Sequence, residues 1–219
     1  MGSTERRTRW ELAGAATAGY GTTFAALVAS GADVDGEARL ADALAPRGAR
    51  ILDAGSGMGR VAAYLTGRGH RVLAVEPDPT LVAQSLATYP DVPVLELDIL
   101  DVDADALAAT GGPVEFDLVV AVGNVMVFLA EGTEREVLER LRDVLAPGGR
   151  LLVGFHLDGG PATARRYSAE EFSADVVAAG LRVDHRFGSY ELHPPDDEYA
   201  VWVLSPAVAT GIGHEPPPI

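Results

Sequence analysis

Three acidic positions and a run of glycines carry the chemistry that can be read from this chain. In Ile51-Leu52-Asp53-Ala54-Gly55-Ser56-Gly57-Met58-Gly59-Arg60 an apolar run enters a glycine turn and leaves it as a helix start. Glycine has no Cβ, so such a turn lets backbone N–H groups come close to a ligand. A dinucleotide fingerprint spaces its glycines Gly-x-Gly-x-x-Gly to seat a pyrophosphate at the helix start. Here Gly59 comes one position early and Asp53 stands ahead of the loop, where a carboxylate opposes a phosphate and suits an ammonium or hydroxyl ligand. Glu76, in Leu73-Ala74-Val75-Glu76-Pro77, can accept hydrogen bonds from the vicinal hydroxyls of a ribose. Asp98-Ile99 sets a side-chain acceptor beside a backbone N–H, the complement of adenine's donor and acceptor edge. The three together describe an adenosine site whose far end is not a pyrophosphate.

Such residues need rigid elements to hold them. From Ala49 the chain alternates short apolar runs with helical segments, the pattern of a parallel sheet whose crossovers are helices. The strands are expected at Arg50 to Ala54, Arg71 to Val75, Val94 to Leu97, Asp117 to Val122 and Arg150 to Phe155. Helices are expected at Arg60 to Arg68, Pro79 to Tyr89, Ala104 to Ala109 and Glu134 to Leu145, the last stopped by Ala146-Pro147-Gly148-Gly149. Ser168 and Glu171 form a capping box for a helix over Ala169 to Ala179. Val183 to Tyr190 and Tyr199 to Leu204 read as an antiparallel pair, making seven strands in an α/β fold. Ahead of this domain, residues 1–48 read as an N-terminal helical cover: Leu12, Ala16, Tyr20, Phe24 and Leu27 recur at near-helical intervals, broken by Gly14, Gly19 and Gly21, and a second helix follows Asp35. The domain is expected over 49–205 and a flexible tail over 206–219.

In the order and spacing of these motifs, from about Asp35 to Leu204, the chain resembles the class I S-adenosylmethionine-dependent methyltransferases. The resemblance implies a Rossmann-like, mostly parallel sheet of order 3-2-1-4-5-7-6, with helices on both faces and the last-inserted strand antiparallel. It assigns the methionine part of the cofactor to Asp53, Gly55, Gly57 and Gly59, the ribose to Glu76, and adenine to Asp98 and Ile99. Gly123 and Asn124, after the fourth strand, would border cofactor and acceptor. Trp10, Tyr20 and Phe24 would fold over them as a lid. The implied cofactor is S-adenosylmethionine, released as S-adenosylhomocysteine, with no metal. Because the sulfonium methyl is already activated, transfer asks mainly for alignment in a dry pocket. A general base helps only when the acceptor must lose a proton, and His156 is the best-placed candidate. Arg60 is left open between the cofactor carboxylate and the surface, and Arg165-Arg166-Tyr167 would suit an anionic substrate.

Composition narrows the acceptor. A net charge of −15, with no lysine, repels polyphosphate and argues against nucleic acid. The resemblance adds to this: the Asn-Pro-Pro-Tyr that the family's base and amide methylases often carry after strand four is absent here, which implies a small-molecule acceptor. No apolar run approaches the roughly 20 residues of a membrane span, no signal peptide is recognisable, and there is no cysteine, so the cytoplasm is the expected location. A homodimer is the default expectation for any assembly. Two other readings stay open: a binding protein that keeps the pocket but methylates nothing, and an NAD-dependent oxidoreductase, which conflicts with the glycine spacing.

Overall fold

The computed structural model describes residues 6–17 and 19–207. The apolar runs form strands β1 (Arg50–Ala54), β2 (Arg71–Glu76), β3 (Val94–Glu96), β4 (Phe116–Ala121), β5 (Leu145–His156), β6 (Leu181–Phe187) and β7 (Tyr199–Pro206). These build one seven-stranded sheet, β3-β2-β1-β4-β5-β7-β6, which is the expected order. Strands β1 to β5 are parallel, and β7 runs antiparallel between β5 and β6. Helices α1 (Arg9–Ala13), α2 (Tyr20–Ala29), α3 (Gly36–Leu44), α4 (Arg60–Gly67), α5 (Pro79–Thr88), α6 (Ala104–Ala108), α7 (Val125–Phe128), α8 (Glu134–Asp143) and α9 (Ala169–Ala178) precede or join the strands.

A parallel sheet must be covered on both faces, and the strands alternate accordingly. Leu52, Leu73, Val119, Leu151, Val153 and Phe155 face one apolar layer, closed by Leu107 of α6, Leu138 and Leu141 of α8 and Phe172 of α9. Ile51, Val72, Leu118, Val120 and Leu152 face the other, closed by Leu40 and Ala41 of α3 and by Val61 and Leu65 of α4. Thus α3, expected within the N-terminal segment, packs into the sheet's own layer. The fixed register brings the carboxyl ends of β1, β2 and β4 side by side, Ala54 against Val75 and Asp53 against Val120. Asp78 caps α5 by accepting from Thr80 N at 2.8 Å, with Pro79 in the first turn, and the Ser168/Glu171 capping box opens α9 as expected.

Several expected boundaries shift. The stretch from Thr8 to Ser30 forms α1, a short 3-10 turn at Gly14–Ala16 and α2. Its apolar stripe is only partly used, since Leu12 and Leu27 are 62% and 40% exposed. The helix expected to Leu145 ends at Asp143, and the Ala146 to Gly149 segment belongs to the start of β5, where the ladder with β4 slips between Phe116 and Leu118. Strand β6 spans Leu181–Phe187 rather than Val183 to Tyr190, because Gly180 starts it directly after α9. Strand β7 continues to Pro206, two residues past the expected Leu204 and one into the expected tail, and 208–219 lie outside the described residues. The α7 turn was not expected; four residues are too few for a helical period to register. No helix among the described residues is long and apolar enough to cross a membrane.

Candidate functional site

A cavity of about 400 Å3 opens where the carboxyl ends of β1, β2 and β4 meet, within the range of small-molecule sites. Gly55 and Gly57 of the turn after β1 line its floor. Both have positive φ, 77° and 58°, a region that costs a residue with a Cβ. The turn hangs from the neighbouring strand by Gly55 N and Ser56 N, which donate to Val75 O at 2.9 and 3.1 Å. At Gly55 there is no room for a side chain either, since an added Cβ would stand 2.7 Å from Val125 Cγ2.

Glu76, at the end of β2, lines the cavity and is buried. Its Oε2 accepts from Gly57 N at 2.8 Å and its Oε1 from Asp78 N at 3.0 Å, so the carboxylate ties the glycine turn to the start of α5. Burial is the main cause that pushes its pKa up to about 7, with the two N–H donors pulling the other way. A carboxylate offers about four lone-pair positions, so about two remain for hydroxyls of a ligand. Asp98 and Ile99 line the same wall. Asp98 Oδ1 accepts from Leu100 N at 2.8 Å, leaving Oδ2 free of protein partners among the described residues, and burial raises its pKa.

The N-terminal segment forms the opposite wall. Trp10, Tyr20 and Phe24 all line the cavity, with Phe128 of α7. Trp10 meets Tyr20 and Phe128 edge to face at centroid distances of 5.2 and 5.4 Å, and Tyr20 tilts on Phe24 at 4.8 Å. The Trp10 indole N–H donates to Asp78 Oδ2 at 2.9 Å, and Gln84 Nε2 donates to Gly21 O at 3.0 Å, so α5 holds this cover at two points.

At the end of β4, Gly123 and Asn124 line the cavity in left-handed conformation, φ 71° and 77°. Asn124 Oδ1 accepts from His156 N at 2.9 Å and lies 3.0 Å from His156 Nδ1. The backbone N–H identifies that amide atom as oxygen, so Nδ1 must carry the ring proton and the neutral imidazole keeps its lone pair on Nε2. Burial lowers the His156 pKa, which favours this neutral form. The ring stands edge-on to Tyr199 at 4.7 Å, and Tyr199 Oη pairs with Tyr190 Oη at 2.9 Å. Neither tyrosine was singled out from the sequence; both come from the loop and strand after β6, where no local motif marks them.

The expected residues therefore divide. Gly55, Gly57, Glu76, Asp98, Ile99, Gly123, Asn124, Trp10, Tyr20 and Phe24 line one cavity. Asp53, Gly59 and His156 do not. Asp53 lies behind the turn, 2% exposed, and accepts from Ala62 N at 3.0 Å; burial pushes its pKa up to about 7. Gly59, φ 83°, is the N-cap of α4. His156 stands behind Asn124, with Gly160 packed on its Cβ side. Arg60 is neither on the surface nor in the cavity: it pairs with Glu37 at 2.9 Å, reaches Val34 O, and lies over the Phe24 ring at 5.4 Å. None of Arg165, Arg166 and Tyr167, the residues expected to suit an anionic substrate, lines the cavity, and Arg166 is exposed. Tyr167 is a core residue, stacked on Phe155, whose hydroxyl donates to Asp175 Oδ2 at 2.6 Å, and Arg165 is paired with Glu134 at 2.8 Å. Among the described residues no group of three or more potential metal ligands converges.

Residues 51–149 match the family described as "Methyltransferase domain". A solved TehB-like SAM-dependent methyltransferase from Corynebacterium glutamicum is 34% identical, with a TM-score of 0.76 over 87% of this chain and 97% of that one. The CcbJ methyltransferase from Streptomyces caelestis, 21% identical, shares the fold with a TM-score of 0.66 over 80% of this chain and 90% of its own. A curated ribosomal RNA small subunit methyltransferase A from Chlorobium chlorochromatii is 27% identical over 93 residues, 42% of this chain and 34% of that protein. The match thus spans only about a third of that relative's length.

Proposed function

We propose, for a chain that belongs to the S-adenosylmethionine-dependent methyltransferase family, an enzyme that moves the cofactor's methyl group to a small-molecule acceptor bearing no negative charge. The methyltransferase class and the cofactor come with the family; the acceptor is the proposal. The residues present fit the cofactor. Gly55 and Gly57 leave a backbone floor without side chains, Glu76 keeps lone pairs for hydroxyls, and Asp98 with Ile99 offers an acceptor and an N–H to a base edge. The cofactor supplies an electrophilic methyl on a positively charged sulfur. What the chain adds is enclosure, alignment and the handling of a proton.

The observation that carries the acceptor reading is the lining. Aromatic and aliphatic side chains dominate it, Glu76 and Asp98 are acidic, and no arginine or histidine faces it among the described residues. An anionic acceptor beyond the cofactor would lose its water with no arginine or histidine of the lining to offset it, only the positive sulfur, which is costly. A neutral ring or an amine fits the aromatic wall. For an acceptor that must shed a proton, Nε2 of His156 is the proposed recipient; the ring stands outside the lining behind Asn124, so the proton would reach it through one bridging water. The −15 charge supports a diffusible substrate over nucleic acid, and the composition supports a cytoplasmic location.

Calorimetric titration with S-adenosylhomocysteine and NAD in parallel tests the cofactor, and methyl transfer to benzylamine, benzyl alcohol and benzoate tests the acceptor. Micromolar binding of S-adenosylhomocysteine without NAD, and transfer to the amine or alcohol but not to benzoate, is expected. Transfer to benzoate alone would sink the charge argument; binding without transfer to any acceptor in a wider screen would favour a non-catalytic protein.

Affinity should also depend on pH. Glu76, raised by burial to about 7, is partly protonated in the free protein at neutral pH, and bound hydroxyls and the sulfonium favour its ionised form. The sign follows: a group protonated when free and ionised when bound makes binding tighter as pH rises and releases protons. Between pH 6 and pH 8 the dissociation constant of S-adenosylmethionine should fall about tenfold, with proton release visible in buffers of different ionisation enthalpy. A flat profile would mean that Glu76 is ionised throughout.

A further inference from the structure

We propose that Glu134 is a positioning residue which locks three walls of the cavity to one another from a point outside it. It is the first residue of α8, and its side chain is 5% exposed. Its Oε1 accepts from Arg9 Nη1 at 3.1 Å and from Arg165 Nη1 at 2.8 Å. The two arginines come from the N-terminal segment and from the loop after β5, and both are docked on the α7 segment by their backbones, Arg9 N to Leu129 O at 3.4 Å and Arg165 N to Val127 O at 2.9 Å. Arg9 Nη1 also donates to Leu129 O at 2.8 Å, and the Arg165 guanidinium lies 3.8 Å over the Tyr167 ring.

Each arm of this cluster carries cavity wall. Thr8 and Trp10 flank Arg9, Phe128 and Leu129 belong to the segment both arginines dock on, and Thr163 lies two residues before Arg165. Neither Glu134 nor either arginine lines the cavity. One nearly buried carboxylate therefore bridges two cations that would otherwise repel each other, with Glu171 Oε1 a further 4.0 Å from Arg165 Nη2, and the shape of the aromatic wall depends on both being held. A charge-assisted hydrogen bond in such surroundings is stronger than a neutral one, and the N-terminal end of α8 adds a favourable field for the carboxylate. A purely local role, stabilising the start of α8, would have no consequence for the cavity.

The inference takes the cavity as the cofactor site, and so rests on the proposed reading at that one point. The test is the isosteric, neutral Glu134→Gln variant, studied by native-state hydrogen exchange without ligand and by calorimetry with S-adenosylhomocysteine. Exchange is expected to rise in residues 9–17 and in residues 158–165 together, and the dissociation constant to rise at least tenfold, although residue 134 touches neither the cavity nor the ligand. Glu134→Asp keeps the charge and should recover part of both effects. Arg9→Met should loosen only the N-terminal arm and Arg165→Met only the loop after β5, each weakening affinity less than Glu134→Gln. Faster exchange confined to α8, or affinity unchanged within twofold in a folded Glu134→Gln protein, would overturn the proposal. Should the unaltered protein bind no S-adenosylhomocysteine, the cofactor reading itself fails, while the exchange measurement still decides whether the two arms are coupled.

Discussion

Glu76→Ala is expected to lower the affinity for S-adenosylmethionine and S-adenosylhomocysteine about a hundredfold and to leave the protein folded. Two hydroxyl donors onto an ionised carboxylate are worth roughly 1.5–3 kcal/mol each, and about 1.4 kcal/mol corresponds to a factor of ten. The variant also frees Gly57 N and Asp78 N, which Glu76 now holds at 2.8 and 3.0 Å, so the floor of the cavity loosens as well. The fold tolerates the change because burying this carboxylate is itself unfavourable, which is why its pKa is pushed up to about 7. Calorimetry beside a thermal melt separates the two effects. Unchanged affinity in a folded variant would remove the ribose assignment; a collapsed melt would mean that Glu76 serves the turn more than the ligand.

For an acceptor that must lose a proton, His156→Gln is expected to slow methyl transfer about a hundredfold, the lower end of what general bases contribute. Cofactor affinity should be untouched, because the ring does not line the cavity and the backbone N–H of residue 156 can still donate to Asn124 Oδ1. The wild-type rate should fall on the acid side as His156 takes up a proton, below the ordinary histidine range because burial lowers its pKa. That limb should vanish in the variant. If His156→Gln transfers at the wild-type rate with the acid limb intact, alignment alone drives the reaction and another group takes the proton.

What the sequence disclosed and what it withheld divide along a physical line. The glycine turn, Glu76, and the seven strands announce themselves because backbone conformation and two-sided burial restrict residue type locally: Gly55 must sit at φ 77°, and Val119 and Val120 face different apolar layers. Asp53 could be placed in the motif but not in space; whether it faced the ligand or braced α4 depends on which side of the turn its rotamer takes. Arg60 and Arg165 were open because an arginine reads alike whether its partner is a ligand or a distant glutamate. Their partners, Glu37 and Glu134, lie 23 and 31 positions away with no spacing rule to join them. The Arg9 contact with Glu134 spans 125 positions. Long-range pairings of this kind exist only once the sheet has set the distances.

The two apolar layers pack against the strands, whereas Trp10, Tyr20, Phe24, Phe128 and Thr163 stand beyond the strand ends on segments outside the sheet. Of these only Phe128 also packs against a core layer, so replacing the other four leaves both layers intact. On the proposed reading, Trp10, Tyr20, Phe24 and Thr163 would therefore be free to change with the acceptor without collapse of the scaffold, while the glycine turn and Glu76 would hold the methyl donor. Such a division would let acceptor preference change without altering the donor half of the molecule.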